Sequence, residues 1–272
     1  MKIEYALADL KSAEVIILGI PFDKTSSFIP GSKFGPKFIR LCAENIECYS
    51  SYQDQDLSML KICDLEDLQF STEDCLLEIE KAVDKIVAQK KFSIFLGGEH
   101  TITFPIVKAF KKEYSRFSIV HFDAHCDLRD EFMGQKICHA TALRRASDVV
   151  GIENIYQFGI RSGTKEEFKF NKNLYKFKVF EPLKTTIEKI KEPIYITIDV
   201  DVLNPGIVPA VSTPEPGGIS FQEIIDALLL FKNKHIIGAD IVEYNPLAAT
   251  PYVSGSTIAE ILRELMLVVK SR

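Results

Sequence analysis

Six short apolar runs recur along the chain: Val15–Ile20, Phe92–Leu96, Phe117–Val120, Asn154–Ile160, Ile194–Ile198 and Ile236–Val242. They are rich in β-branched and aromatic residues and too short for helices, so they read as strands buried on both faces. Between them the apolar period changes to that of a helix. Leu76, Ile79, Val83, Ile86 and Val87 form one stripe, and the preceding Ser71-Thr-Glu-Asp74 offers a capping Ser with acids in the first turn. Gly35-Pro36 opens a short helix, Pro105 sits near the start of another, and a further one runs from His139 to about Val149. Ser220 with Glu223, and Thr257 with Glu260, have capping-box spacing. Alternating strands and helices predict an α/β fold: a single three-layer domain over residues 1–272, a parallel β-sheet with helices on both faces.

In such sheets ligands bind beyond the carboxyl ends of the strands, and three strand ends carry unusual chemistry. The Phe117 run leads into His121-Phe-Asp123-Ala-His125-Cys-Asp127, where period-2 geometry puts Asp123, His125 and Asp127 on one side. The Ile194 run ends in Asp199-Val-Asp201, and the Phe92 run in Gly97-Gly-Glu99-His100. Isolated charge is costly to bury, so convergent carboxylates and imidazoles imply a cation. The candidate ligands are His100, Asp123, His125, Asp127, Asp199 and Asp201, enough for two ions sharing carboxylates. The oxygen-rich set suits Mn²⁺, with Co²⁺, Fe²⁺ and Zn²⁺ as alternatives. Each pair taken alone also fits a solvated strand end.

Two ions sharing a carboxylate generate hydroxide near neutral pH, a nucleophile for an electron-poor carbon or phosphorus. Asp127 is placed to accept a hydrogen bond from it and move its proton. His139, at a loop-to-helix start, is a candidate proton shuttle, and Glu243, after the last strand, can pair with a guanidinium. His121 lies deeper on the Asp123 strand and reads as a packed or ligand-supporting histidine. His235 reads as a surface residue. The Pro- and Gly-rich stretch Asn204–Gly218 fits either a pocket wall or a plain surface connection.

Composition narrows the class. A 46% hydrophobic, 26% charged chain of net charge -5 is globular and has no electrostatic footprint for nucleic acid. No apolar stretch reaches membrane-spanning length. The six cysteines form no C-x-x-C pair and no signal peptide opens the chain, which suggests a cytoplasmic protein with reduced thiols. Cys126 and Cys138 flank the site and read as small packing residues.

These residues resemble the ureohydrolase family of arginases and agmatinases. The likeness spans nearly the whole chain and runs through Gly-Ser-Lys-Phe-Gly-Pro-Lys-Phe-Ile-Arg at 31–40, Gly-Gly-Glu-His at 97–100, and Asp-Ala-His-Cys-Asp at 123–127. It continues in Thr-Ile-Asp-Val-Asp-Val-Leu-Asn-Pro at 197–205, Thr-Pro-Glu-Pro-Gly-Gly at 213–218 and Val-Glu-Tyr-Asn-Pro at 242–246. The resemblance implies an arginase-like fold and two Mn²⁺ per subunit. His100, Asp123, Asp127 and Asp199 would hold one ion, and Asp123, His125, Asp199 and Asp201 the other. A bridging hydroxide would attack the carbon of a small cationic guanidino substrate gripped by Glu243, with His139 shuttling protons. Urea and an amine would leave. It also implies a homo-oligomer, a trimer or hexamer.

The chain departs from the family pattern at Glu99 and Asn204, where Asp is usual, at Thr197 for Ser, and at Val211-Ser212. Arginases usually place an Asn where this chain has Arg129. Asp130 and Glu131 beside it suit a distal ammonium, which favours agmatine, with putrescine as the product. Arginine, guanidinobutyrate, aminopropylagmatine and formimidoylglutamate are alternative substrates. A metal-binding regulatory protein is the non-enzymatic alternative.

Overall fold

The computed structural model describes residues 1–270. Ten strands form: β1 (Val15–Ile20), β2 (Tyr49–Ser50), β3 (Gln55–Asp56), β4 (Ile62–Asp67), β5 (Phe92–Gly97), β6 (Ser118–Phe122), β7 (Ile155–Ile160), β8 (Leu174–Lys176), β9 (Ile194–Asp199) and β10 (Ile236–Val242). Eight make one sheet in the order β4-β1-β5-β10-β9-β6-β7-β8, and every pairing within it is parallel. β2 and β3 pair separately as a short antiparallel ribbon.

Successive strand residues feed two apolar clusters, one per face of the sheet. Ile17, Ile94, Leu96, Ile196 and Ile241 enter one cluster, while Ile16, Leu18, Phe95, Tyr195 and Val242 enter the other. Helices cover both clusters, so the three-layer α/β architecture read from the apolar runs holds. Among the described residues, no helix is long and apolar enough to cross a membrane.

Several local readings change. The helix Cys75–Val87 is capped by Asp74, whose side chain accepts the Leu77 N–H, and not by Ser71. Ser71 and Thr72 bond the Glu78 carboxylate instead. The last helix runs Pro251–Lys270, beginning at a proline preset for a first turn. Thr257 lies inside it, its hydroxyl turned back to the Val253 carbonyl, and caps nothing. Ser220 does cap the helix Phe221–Leu229. Its expected partner Glu223 instead receives the N–H groups of Val179 and Phe180, so a tertiary bond replaces the local one. The edge strands β4 and β8 carry weaker apolar patterns and are absent from the sequence reading.

A buried ion pair ties the first helix to the sheet edge. Arg40, on the helix Gly35–Ala43, is fully buried. Its guanidinium meets Asp64 twice, at 2.8 and 2.9 Å, and Asp67 at 2.5 Å. Asp64 also accepts the Ile3 N–H, which fastens the N-terminal segment to β4.

A candidate binuclear metal centre

The four adjacent strands β5, β10, β9 and β6 end at one place. Asp199 closes β9, while His100, Asp201 and Glu243 stand just past β5, β9 and β10, and Asp123, His125 and Asp127 follow β6 in a loop, so loop conformation and not strand alternation turns those three inward. Gly98 lets β5 turn there, because a Cβ would stand 2.0 Å from the Phe22 carbonyl oxygen. The backbone N–H groups of Gly98 and Glu99 bond the Ile20 and Phe22 carbonyls. Asp127 and Glu243 both hold positive φ, 54° and 66°. Such backbone strain is uncommon outside glycine and asparagine and clusters at functional sites.

The structure brings all six candidate ligands together in two groups. His100 Nδ1 lies 3.2 Å from an oxygen of Asp123, 3.2 Å from one of Asp127 and 3.4 Å from one of Asp199. His125 Nδ1 lies 2.8 Å from Asp201 Oδ2 and 3.5 Å from Asp123 Oδ1. Asp123 thus presents one oxygen to each histidine, as a bridging carboxylate does. His100 Nδ1 and Asp201 Oδ2 are buried and have no hydrogen-bond partner among the described residues. A buried orphan donor or acceptor is costly. Two aimed into a cluster of hard oxygens and imidazoles fit divalent cations.

The surrounding bonds set the ligand tautomers. Thr197 Oγ1 donates to Asp240 Oδ1, so at 2.9 Å from His100 Nε2 it accepts that N–H and leaves Nδ1 as the ligand atom. Tyr195 and Thr103 donate to the other Asp240 oxygen. His121 is fully engaged: Gln157 donates to its Nδ1, and its Nε2–H meets Asp123 Oδ2 at 2.7 Å. His121, Asp123 and His100 are close enough to form a ligand group of their own, but these bonds make His121 a support of Asp123. The carboxylates facing His100 and His125 raise both imidazoles well above their usual range, against the effect of burial. A bound cation takes the place of those protons, so binding releases protons.

A cavity of about 250 Å³ opens over this cluster and is lined by His125, Asp127, His139, Asp199 and Glu243 among others. Glu243 is buried, accepts the His100 N–H at 2.8 Å, and is raised to about 8 by burial and by the nearby Glu99. A cation placed beside it would favour its charged form. His139 stands in a turn, Nε2 at 3.1 Å from Ser27 Oγ, with its ring edge-on to Phe132. Burial lowers its pKa, which favours the neutral ring.

Asp130 and Glu131 are not brought to this cavity. They line a separate surface depression with Arg144 and Phe170. Asp130 is 67% exposed and held by Arg145 at 2.6 Å. The acids on the cavity wall, besides the cluster itself, are Glu167, Glu215 and Glu243. Glu215 comes from the 204–218 stretch, which therefore walls the pocket. Arg161 fixes that stretch through the carbonyls of Asp201, Glu215 and Pro216. Neither Arg161 nor Glu215 stood out in the sequence. The Thr-Pro-Glu-Pro-Gly-Gly motif was the available signal for Glu215, and none pointed to Arg161.

The model of the arginase family matches residues 13–268. An agmatinase of Bacillus anthracis is 42% identical over 266 residues, covering 93% of this chain and 92% of its own. A guanidinobutyrase of Pseudomonas aeruginosa is 32% identical, covering 96% and 88%. The crystal structure of a putative agmatinase from Clostridium difficile superposes with a TM-score of 0.91 at 40% identity, covering 96% of this chain and 98% of its own. A likeness of this extent, through a sheet whose central strand ends gather the site, places the chain in the arginase family.

Proposed function

We propose that this protein is a manganese-dependent agmatinase, hydrolysing the guanidinium group of agmatine to urea and putrescine. His100, Asp123, Asp127 and Asp199 would hold one Mn²⁺, and Asp123, His125, Asp199 and Asp201 the other. When bound, the ions supply a nucleophilic hydroxide from water at neutral pH. Glu243 pairs with the guanidinium and orients its carbon. Asp127 holds the proton of the attacking oxygen. The C–N bond to the alkyl chain breaks, and His139, neutral at rest, takes a proton from solvent and passes it to the departing amine nitrogen. Assembly into a homo-oligomer belongs to the same proposal.

The observation that carries the substrate is the charge of the cavity wall. Glu243, Glu215 and Glu167 face one cation, Arg129, which lies 3.5 Å from Glu167. A substrate cationic at both ends suits this wall. The distal ammonium then falls to Glu215, whose side chain is 33% exposed, in place of Asp130 or Glu131. The names of the similar agmatinases point the same way. Arg129 favours a second reading, in which it binds the carboxylate of guanidinobutyrate.

A substrate panel separates these. The Mn²⁺-loaded chain is offered agmatine, guanidinobutyrate, arginine, aminopropylagmatine and formimidoylglutamate. Agmatine is expected to have the highest kcat/KM, about 10-fold or more above guanidinobutyrate, a gap of roughly 1.4 kcal/mol. A preference for guanidinobutyrate would transfer the assignment to the Arg129 reading. Tight metal binding without turnover of any of the five would favour a regulatory protein.

A further inference from the structure

Behind His139 lies a hydrogen-bonded group that none of the roles above uses. Glu99 sits beside the ligand His100 but turns away from the metal cluster and is buried. Three donors converge on its carboxylate. The Thr25 hydroxyl lies at 2.6 Å, the Thr101 hydroxyl at 2.9 Å, and the Thr25 N–H at 3.1 Å from each oxygen. With its one proton given to Glu99, the Thr25 hydroxyl oxygen can only accept from other groups. The hydroxyls of Thr25 and Thr101 are 3.1 Å apart, but both protons are committed to the carboxylate.

That oxygen faces His139 twice. It accepts the His139 backbone N–H at 3.1 Å and lies 3.4 Å from the ring Nδ1. An acceptor opposite Nδ1 favours the tautomer that carries the proton there, because a bare Nδ1 would set two lone pairs against each other. Which ring nitrogen of a histidine is protonated follows from the bond the other makes. Nε2 is then the bare nitrogen, and Ser27 Oγ at 3.1 Å donates to it. Both Ser27 and His139 line the cavity.

We infer that Thr25, oriented by Glu99, is the positioning residue that holds His139 with Nδ1 protonated and Nε2 bare and turned to the cavity, the atom that takes up a proton and passes it on. The inference deepens the proposed function, since it assumes His139 moves the proton. Glu99 joins the segment beside His100 to the one that carries Thr25. Its carboxylate reaches the Thr25 hydroxyl, across 74 residues of sequence.

The test is made on the full chain labelled with ¹⁵N-histidine and loaded with Zn²⁺, which is diamagnetic. The chain has five histidines, and the His139 ring signals are assigned by their loss in His139→Asn. At pH 8 the unaltered chain is expected to show a protonated Nδ1 and a bare Nε2. Thr25→Val should move the ring toward the opposite tautomer, and Thr25→Ser should restore it. On Mn²⁺-loaded protein, Thr25→Val should lower kcat for agmatine about 10-fold, a fraction of the roughly 10²–10⁴-fold worth of general acid–base catalysis. KM should change less than about 3-fold on the same argument, with metal content as in the unaltered chain. Thr25→Ala serves if the valine variant does not fold. A His139 tautomer unchanged in Thr25→Val, or a bare Nδ1 in the unaltered chain, would overturn the inference. Absence of guanidine hydrolysis by the unaltered chain would instead overturn the functional reading, while the ring signals still decide the tautomer.

Discussion

Asp201→Ala is expected to bind one metal ion per chain in place of two and to lose at least about 10³-fold in turnover. Second-sphere substitutions alone typically cost 10–100-fold in metal affinity or activity, so a direct ligand should cost more. Asp201 Oδ2 has no hydrogen-bond partner among the described residues and faces His125 Nδ1 at 2.8 Å. Its other oxygen accepts the Ala124 N–H. Removing the carboxylate would therefore take one oxygen ligand from the ion proposed beside His125, and it frees one backbone donor. The freed N–H costs about 1–3 kcal/mol, offset by relief of repulsion among Asp201, Asp199 and Asp123. The fold should survive while the chemistry fails. His125→Ala should behave alike. Metal analysis showing two ions retained in both variants would refute the ligand assignment, whatever the rates.

Arg40→Ala should destabilise the fold by about 3–5 kcal/mol, the usual consequence of removing one partner from a buried ion pair. The guanidinium is the cation facing both Asp64 and Asp67. Without it, Asp64 is a fully buried carboxylate held only by the N–H groups of Ile3 and Glu66. A chain of this size should melt about 10 °C lower. Below that temperature, metal content and activity should match the unaltered chain, because Arg40 touches no candidate ligand. A melting shift under about 2 °C would show that the pair contributes little.

The contrast between these residues shows what a sequence makes legible. Asp123, His125 and Asp127 stand close together in sequence, which made the cluster legible, but β6 ends at Phe122 and the loop after it, with Asp127 at φ 54°, converges them in place of the expected strand alternation. His100 and Asp201 likewise stand just past their strands, each in a short 3-10 turn, and a parallel sheet brings such ends to one edge. Sheet order was not legible: that β10 lies between β5 and β9 is what brings Glu243 to His100. Charge in a loop was the weakest guide. Asp130 and Glu131 look like substrate partners by distance along the chain, yet Arg144 and Arg145, one helical segment later, draw Asp130 to the surface. Glu215 is farther in sequence and nearer in space. Thr25, Thr197, Asp240 and Arg161 act through hydrogen bonds to residues far along the chain, and no local pattern announces such bonds. The cap errors have the same origin. Glu78 and Glu223 answered tertiary or loop donors that the local spacing rules do not include.

The Asp123 cluster is proposed to hold two ions that drive guanidine hydrolysis. Stripping the chain of metal, adding Mn²⁺ in steps, and measuring urea and putrescine released from agmatine tests this most directly. Urea and putrescine should appear in equal amounts, and the rate should rise until two ions are bound per chain and then level off. Two bound ions with no urea from agmatine or any other guanidine would contradict the account.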